Sequence, residues 1–293
     1  MGKYSHRVFA HRHRVWRCAF LGGFQVKCIA LRLLPVFLLG LGNPALAADD
    51  DPLKAAIAGD QRPADQKARD LYRHPYETLQ FFGIRNDMKV LEIYPGGGWY
   101  TQILAPYLKD AGKLTVAVYD RNPKTQKDWM PKYNKQFTDA FTGKSDVYGD
   151  IDLVDMVPPK QVDLAPAGSI DMILDFRNAH NWIEQGGDEV AAGWFKALKK
   201  GGVLGIIEHR RSESQPDDSG TGYIHQKRIV DMMVKNGFQL AASSELNSNP
   251  KDTTDHPEVV WTLPPGLALG EEKSAEYIAI GESDRMTLKF VKP

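Results

Sequence analysis

The chain has 293 residues, of which 42% are hydrophobic and 25% charged, as is typical of a globular protein with one large or two small domains. Its formal charge is zero, but residues 1–47 hold seven of the 37 basic residues and no acid, which leaves 30 basic and 37 acidic residues in the remainder. This acidic body excludes nucleic acid as a natural partner, because nucleic-acid affinity comes largely from cations placed against phosphates.

Residues 1–47 have the features of a signal peptide. A basic region precedes an apolar run at residues 33–41, and small residues follow at Ala45 and Ala47. The run suits a secretory signal and is too short to span a bilayer. We expect cleavage after Ala47 and a periplasmic or secreted protein, with no membrane contact once the signal is removed. The alternative is an organelle presequence, which is also arginine-rich and free of acids.

Both cysteines lie in this first segment, at Cys18 and Cys28. The mature protein is therefore expected to contain no thiol. This excludes a zinc site built on cysteine and a cysteine nucleophile. It also suits export, because a chain without thiols cannot form wrong disulfides.

Residues 48–83 are predicted to form an N-terminal helical segment with two helices, which begin near Pro63 and Pro75. Charges of alternating sign follow one another on these helices, at Arg69, Asp70, Arg73 and Glu77. This pattern favours a solvated face. The functional alternative is a lid that closes over a cofactor.

Strands and helices alternate from residue 84 to residue 293. The strands are predicted at residues 89–93, 114–119, 151–157, 169–175, 203–207, 238–243 and 285–291. This alternation predicts a doubly wound, Rossmann-like sheet of seven mostly parallel strands. No long helix is predicted between the last two strands, which are expected to form an antiparallel hairpin. Residues 246–273, with four prolines and no clear period, are interpreted as a long functional loop.

A glycine-rich loop follows the first of these strands, in the sequence VLEIYPGGG at residues 90–98. A Walker phosphate loop is excluded, because Trp99 and Tyr100 stand where Lys and Ser or Thr are needed. A dinucleotide loop is a weak match, because Thr101 takes the place of its third glycine.

The same loop resembles the first motif of the class I S-adenosylmethionine-dependent methyltransferases. Glu92 matches the acid of that motif, Gly96 and Gly98 match its last two glycines, and Tyr94 replaces the first glycine. Asp120 ends the second strand, where the family places an acid on the ribose hydroxyls. Residues 169–174 and 197–204 are similar to the family's fourth strand and to the segment before its fifth. The resemblance covers residues 62–293.

Four further stretches are similar to a bacterial group of exported, predicted methyltransferases. They are DFRNAHNW at 175–182, EHR at 208–210, NPKDTTDHP at 249–257 and GESDRM at 281–286. The resemblance implies a class I methyltransferase fold for residues 84–293. It also implies S-adenosylmethionine as the cofactor and a small molecule as the methyl acceptor.

The residues of the glycine-rich loop also have physical roles that do not depend on this resemblance. Glycines let the ligand approach the backbone, and the helix that follows points its N-terminal amides at the ligand carboxylate. Glu92 is expected to face the ligand's ammonium group, directly or through water. Tyr94 and Trp99 are interpreted as aromatic partners of the sulfonium. The alternative for Tyr94 is core packing beneath the loop.

Candidate catalytic residues follow the fourth and fifth strands, at the rim where such sheets bind ligands. Methyl transfer depends mainly on orientation, and it needs a base only if the acceptor must lose a proton. His180 is predicted to be that base, Arg177 to orient substrate or cofactor, and Asp175 to contact the cofactor. His209 is predicted to line the acceptor pocket. Structural roles remain the alternative for both histidines.

Other kinds of site are less well supported. No metal site is predicted, because the sequence has no His-x-x-x-His pair or tight cluster of His and Asp. A Gly-x-Ser-x-Gly nucleophile elbow is also missing. In the long loop, Asp252, Asp255 and His256 are expected to brace the loop, and the alternative is that they close the acceptor side.

Export would take the protein to a compartment that is not expected to hold S-adenosylmethionine, because this cofactor is made in the cytosol. This favours two alternatives to methyl transfer. One is a non-catalytic binding module for a nucleoside-like or other small metabolite. The other is a hydrolase or lyase that uses His180 and His209. Fold alone does not choose among these functions.

Overall fold

The structure is a computed structural model that describes residues 51–293. The signal peptide predicted at residues 1–47 and its cleavage after Ala47 lie outside the described residues. Within the described part of the chain, every helix is too short or too polar to cross a membrane.

Seven strands form a single sheet. They are β1 Lys89–Ile93, β2 Lys113–Val118, β3 Ile151–Asp155, β4 Ile170–Phe176, β5 Leu198–His209, β6 Gln239–Ser244 and β7 Arg285–Val291. Their order is β3-β2-β1-β4-β5-β7-β6, and only β7 runs antiparallel to its neighbours, β5 and β6. This confirms the predicted doubly wound sheet with an antiparallel C-terminal pair. The order reverses between β1 and β4, which is where such sheets bind ligands.

Eleven α-helices surround this sheet within residues 51–293. They are α1 Pro52–Ala58, α2 Ala64–Lys67, α3 Asp70–Arg73, α4 Pro75–Phe82, α5 Thr101–Leu108, α6 Met130–Phe141, α7 Ser145–Tyr148, α8 Ala179–Trp182, α9 Gly187–Ala197, α10 Gln226–Lys235 and α11 Glu271–Ile280. The N-terminal segment thus has four short helices where the sequence predicted two. Left-handed backbone at His74 separates α3 from α4, and Pro75 then opens α4.

The connection between β6 and β7 differs from the prediction. It holds a short 3-10 helix at Val259–Thr262 and then α11, which has ten residues. The expectation that no long helix separates the last two strands is therefore wrong. Among the side chains of α11 that the structure describes, only Tyr277 is buried. A helix with one buried side chain leaves no apolar period in the sequence, which is why it was missed.

The core lies on both faces of the sheet. In β4, Ile173 faces a cluster that includes Trp182 and Trp194, whereas Met172 and Leu174 face the opposite cluster. The two tryptophans are fully buried, and their ring centroids are 4.9 Å apart. A central parallel strand covered on both faces is apolar along its whole length, because successive side chains point to opposite sides.

Candidate functional site

A cavity of about 490 Å³ lies at the carboxyl ends of β1, β4 and β5, where the strand order reverses. Its size is within the usual range for small-molecule sites, roughly 300–1,000 Å³. Five of the predicted site residues line it, and these are Tyr94, Gly96, Arg177, His180 and His209. The structure therefore brings the predicted catalytic residues together with part of the glycine loop.

A larger groove, of about 670 Å³, lies away from this cavity. One of the arginines in its wall is already paired, since Arg210 bonds to Glu245 and to Asp284 at 2.8 Å or less. We place the candidate site in the smaller cavity, because that cavity lies at the reversal of strand order.

Gly96 and Gly98 in the glycine loop differ in the space that surrounds them. Gly96 has φ of 57°, and a Cβ atom added to it would meet nothing within 4 Å. A Cβ atom on Gly98 would lie 2.2 Å from the ring of Phe141. Gly96 thus leaves space for a ligand against the backbone, whereas Gly98 is required by packing behind the loop.

Glu92 lies beneath the loop and not in the cavity wall. Its carboxylate accepts a hydrogen bond of 2.6 Å from the Thr101 hydroxyl, at the start of α5. Burial raises the pKa of Glu92 to about 8, although the hydrogen bond from Thr101 opposes this change. In this structure Glu92 therefore connects β1 to α5.

Tyr94 occupies the position of the missing first glycine. Its backbone is left-handed, with φ of 43°, and its hydroxyl donates a 2.7 Å hydrogen bond to the Met156 carbonyl. Its ring stacks on Tyr119 at 4.3 Å, above the end of β2. The contacts with Met156 and Tyr119 are those of a side chain packed beneath the loop, as in the alternative interpretation of Tyr94. The ring also forms part of the cavity wall.

The space beside Tyr94 is nearly closed. Trp129 and Tyr133 extend the stack from Tyr119, with centroids 4.8 and 6.1 Å from its ring. Only about 10 Å³ remains between this cluster and Gly96, which is room for a single water molecule at most.

Asp120 also lies outside the cavity. Its two carboxylate oxygens accept hydrogen bonds from the Asn122 amide at 2.8 Å and the Thr125 hydroxyl at 2.7 Å. A carboxylate can accept about four hydrogen bonds, so Asp120 keeps capacity for further donors. Its place at the end of β2 is the one from which an acid binds ribose in such folds.

Asp175 is fully buried beneath the cavity. Its carboxylate accepts a 3.0 Å hydrogen bond from the indole of Trp182. Burial, together with the nearby Glu208, raises its pKa well above the usual range. Asp175 therefore supports α8 from below and does not reach the cavity wall.

His180 has a partner that the sequence interpretation did not assign. Its Nδ1 atom lies 3.2 Å from each carboxylate oxygen of Glu208. The backbone amides of His180 and His209 donate to the same carboxylate, at 3.0 and 2.7 Å. The Nε2 atom of His180 has no hydrogen-bond partner within residues 51–293. The interaction of Nδ1 with Glu208 thus leaves the Nε2 atom of His180 available to a ligand.

His209 lies beside His180, with ring centroids 5.7 Å apart. Its Nδ1 atom is 2.5 Å from the Ser283 hydroxyl. Burial lowers its pKa well below the usual range, and the neighbouring His180 and Arg177 add to this effect. His209 thus presents a neutral imidazole to the cavity.

The fold assembles a cluster that the sequence spacing did not reveal. One potential ligand atom each from His180, Glu208 and His209 lies within 4.8 Å of the others. The cluster contains only one carboxyl group, and Arg177 and Arg73 are close enough to act on His209. A further cation would be repelled by these arginines, so we interpret the cluster as hydrogen-bonded side chains.

Arg69 and Arg73 are part of the cavity wall, and the prediction of a solvated face is wrong for both. Arg73 is only 3% exposed, and its Nε atom lies 2.9 Å from the carboxylate of Glu282. Arg69 reaches the same carboxylate at 2.8 Å. Because Glu282 follows 209 residues after Arg73, no local charge pattern could have revealed the pair.

Trp99 contacts cations of the protein itself. The guanidinium groups of Arg62 and Arg73 lie 4.9 and 4.7 Å from its ring centroid, and its indole donates to the Gln66 carbonyl at 3.0 Å. These contacts fix the N-terminal helices to the glycine loop.

The long loop reaches the cavity with residues that the sequence interpretation did not select. Asp252 accepts hydrogen bonds from Tyr223 and pairs with His256 at 2.9 Å, and both Asp252 and His256 are buried. This confirms their bracing role. Trp261 and Pro265 form the cavity wall instead, and the Trp261 ring lies 6.4 Å from that of His180.

The chain was compared with known proteins. No protein-family profile matches it, and no curated protein matches its sequence. A SAM-dependent methyltransferase from Aquifex aeolicus superposes with a TM-score of 0.50 at 15% identity, over 83% of this chain and 99% of that chain. The [4+2]-cyclase SpnF superposes with a TM-score of 0.54 at 15% identity, over 83% of this chain and 92% of that chain. The chain therefore has the class I methyltransferase fold.

Proposed function

We propose that the protein is an S-adenosylmethionine-dependent methyltransferase that acts on a small molecule. The observation that supports this is the single cavity in which the glycine loop meets His180 and Arg177, at the reversal of strand order. The fold agrees with the sequence resemblance, and one protein of that fold is a SAM-dependent methyltransferase. We further propose that the protein works in the periplasm or outside the cell, after cleavage at Ala47.

The glycine loop suits the amino-acid end of the cofactor. Gly96 offers open backbone to the cavity, and Gln66 lines the same cavity. At the nucleoside end, the ring of Tyr94 stacks on Tyr119, the residue directly before Asp120. We infer that this ring moves aside when the cofactor binds, which opens the route to Asp120.

The bound cofactor would supply a methyl group on a sulfonium centre, already activated for transfer. His180 accepts a proton from the acceptor at Nε2, while the Glu208 carboxylate orients Nδ1–H and stabilises the charged imidazole. Arg177 orients the acceptor. Trp261 covers the cavity from the long loop and limits the entry of water.

The second candidate is an exported binding module without catalysis. The position of Tyr94 favours it, because a ring stacked on Tyr119 occupies space that a nucleoside would need. The [4+2]-cyclase of similar fold also shows that this architecture serves other reactions.

Calorimetry of the full chain with S-adenosylmethionine and S-adenosylhomocysteine tests the proposal. We expect both to bind with dissociation constants below about 1 mM, which corresponds to roughly 4 kcal/mol of binding free energy. If neither binds, the methyltransferase proposal is wrong and the binding module is favoured. Cell fractionation tests export, since an uncleaved cytosolic protein would contradict it.

A further inference from the structure

Four guanidinium groups converge on one carboxylate at the wall of the cavity. Glu282 accepts from Arg69 at 2.8 Å, Arg73 at 2.9 Å and Arg285 at 2.9 Å, and Arg177 approaches it to 3.8 Å. Within residues 51–293, none of the four forms a salt bridge with any other acid. Three positive charges therefore have no negative partner in the described chain.

Two of these arginines, Arg73 and Arg285, are buried and the other two are partly buried, which makes the excess charge costly. The Nη1 atom of Arg73 and the Nη2 atom of Arg69 are buried and have no hydrogen-bond partner among the described residues. Burial acts to raise the pKa of Glu282, but the four arginines outweigh this effect and lower it to about 2. Glu282 is thus fully ionised, but its one negative charge neutralises only one of the four positive charges around it.

The unbalanced charges face the cavity. Arg69, Arg73 and Arg177 all line it. Arg177 has left-handed backbone, with φ of 64°, and its side chain donates no hydrogen bond within the part of the chain that the structure describes. A non-glycine residue held in this conformation is strained, and such strain is common where a side chain is aimed at a ligand.

The position of the cluster indicates which part of a ligand it meets. Arg177 follows β4, Arg285 is the first residue of β7, which pairs with β5, and Glu282 lies just before β7. The charges therefore lie on the His180 side of the cavity, whereas the end of β2, where Asp120 is proposed to hold the ribose of the cofactor, is on the other side of β1.

We propose that this arginine cluster binds an anionic group, a carboxylate or a phosphate, carried by the methyl acceptor. The identification of the ligand as a methyl acceptor rests on the proposed function. Guanidinium groups suit this task, because their paired N–H donors match the oxygens of carboxylate and phosphate. An anion bound here would neutralise the cluster and hold the acceptor beside His180.

Titration calorimetry of the full chain with inorganic phosphate and with malonate tests the anion site. We expect one site, with affinity reduced at least tenfold in Arg177→Met and partly restored in Arg177→Lys. Arg85→Met is the matched control, since Arg85 is 61% exposed, pairs with Asp87 alone among residues 51–293 and lies outside the cavity. Absence of anion binding to the wild type, or equal loss in both Met variants, would overturn the proposal.

A second titration identifies the source of the anion. It repeats the phosphate measurement on protein saturated with S-adenosylhomocysteine, whose own carboxylate is the other possible occupant. Retained phosphate binding supports an acceptor site, whereas complete displacement assigns the cluster to the cofactor carboxylate and overturns the acceptor assignment. If S-adenosylhomocysteine does not bind at all, the proposed function fails separately, and phosphate binding still tests the cluster. Thermal melts of each variant exclude unfolding as the cause of a loss.

Discussion

The Nδ1 atom of His180 lies 3.2 Å from both carboxylate oxygens of Glu208. His180 lies in α8, which follows β4, and Glu208 lies near the end of β5, the strand that pairs with β4. Two backbone amides also donate to this carboxylate, so the acid itself is held in place. The arrangement fixes which imidazole nitrogen faces the cavity. It is the geometry of a base oriented by a third group.

Replacing His180 tests its role as the base. His180→Asn is expected to lower kcat by about 10²- to 10⁴-fold, the usual contribution of a positioned base. Affinity for S-adenosylhomocysteine should not change, because His180 lies on the acceptor side. The measurement is release of S-adenosylhomocysteine with an accepted small molecule. An unchanged kcat would remove His180 from the mechanism.

Glu208 acts through His180 and is a positioning residue. Glu208→Gln keeps the shape but removes the charge that orients His180, so it should lower kcat while the affinity for S-adenosylhomocysteine stays the same. Dialysis against a chelator is the companion experiment. It should leave activity intact, and a loss that zinc or magnesium restores would instead assign a metal to this cluster.

Asp120 is predicted to hold the ribose. Asp120→Ala should weaken binding of S-adenosylhomocysteine at least tenfold, because two hydroxyls would lose a charged acceptor. The same change also removes the bond from Thr125. Thr125→Val is therefore the control, since it breaks that bond and keeps the carboxylate. Calorimetry should give near-normal affinity for the control, and equal losses would point to loop structure alone.

Tyr94 should oppose cofactor binding. Tyr94→Gly removes the ring above β2 and relieves the left-handed backbone, so the affinity for S-adenosylhomocysteine should rise about tenfold or more. Stability should fall by roughly 3 kcal/mol, since a buried aromatic side chain is lost. Tyr94→Phe, which loses only the bond to Met156, should change both quantities much less. Weaker binding in the Gly variant would show that the ring contacts the ligand.

Glu92 should make stability depend on pH. Its pKa rises from an ordinary 4.5 to about 8 on folding, because burial disfavours the charged form. The folded state therefore binds the proton more tightly, so stability is greatest below pH 4.5 and declines up to about pH 8. The decline attributable to this group is on the order of 3–5 kcal/mol. Glu92→Gln, which is neutral at every pH, should lack it in denaturant melts at pH 5 and pH 8.

Replacing the Glu282 carboxylate should lower the stability of the protein more than replacing an exposed carboxylate does. Glu282→Gln leaves two buried and two partly buried arginines with no counter-charge, and we expect a loss of roughly 3–5 kcal/mol in chemical denaturation. Glu245→Gln is the comparison, since this carboxylate is 66% exposed and its pair with Arg210 should contribute less than about 1 kcal/mol. Similar losses in both variants would mean that the arginine cluster is balanced in some other way.

Much of the fold was predictable from local pattern. The first and last strands, Lys89–Ile93 and Arg285–Val291, have the predicted bounds because their apolar runs are short and bordered by polar residues or turns. The meeting of His180 and His209 was also predictable, since the carboxyl ends of adjacent parallel strands share one edge. Local pattern is thus sufficient where the relevant interaction is between neighbours in the sheet.

The remaining features depend on distant contacts. Arg73 looks like a surface residue in the sequence, and only its pairing with Glu282 accounts for its burial. Trp261 lies in a loop with no period, so nothing marked it as a cavity residue. The ring of Tyr94 could be assigned to the loop but not to its stack on Tyr119, because that contact depends on the path of the chain after β2.

The two ends of the described chain complete the site together. Arg69 lies in the N-terminal helical segment, and its partner Glu282 comes 213 residues later, just before the final strand. Synthesis delivers the N-terminal part first, so an unfinished chain holds Arg69 and Arg73 without their carboxylate partner. The part of the cavity wall that Arg69 and Arg73 form is therefore fixed only after Glu282 has been added. For a protein exported as proposed, this timing would confine ligand capture to the compartment where folding finishes.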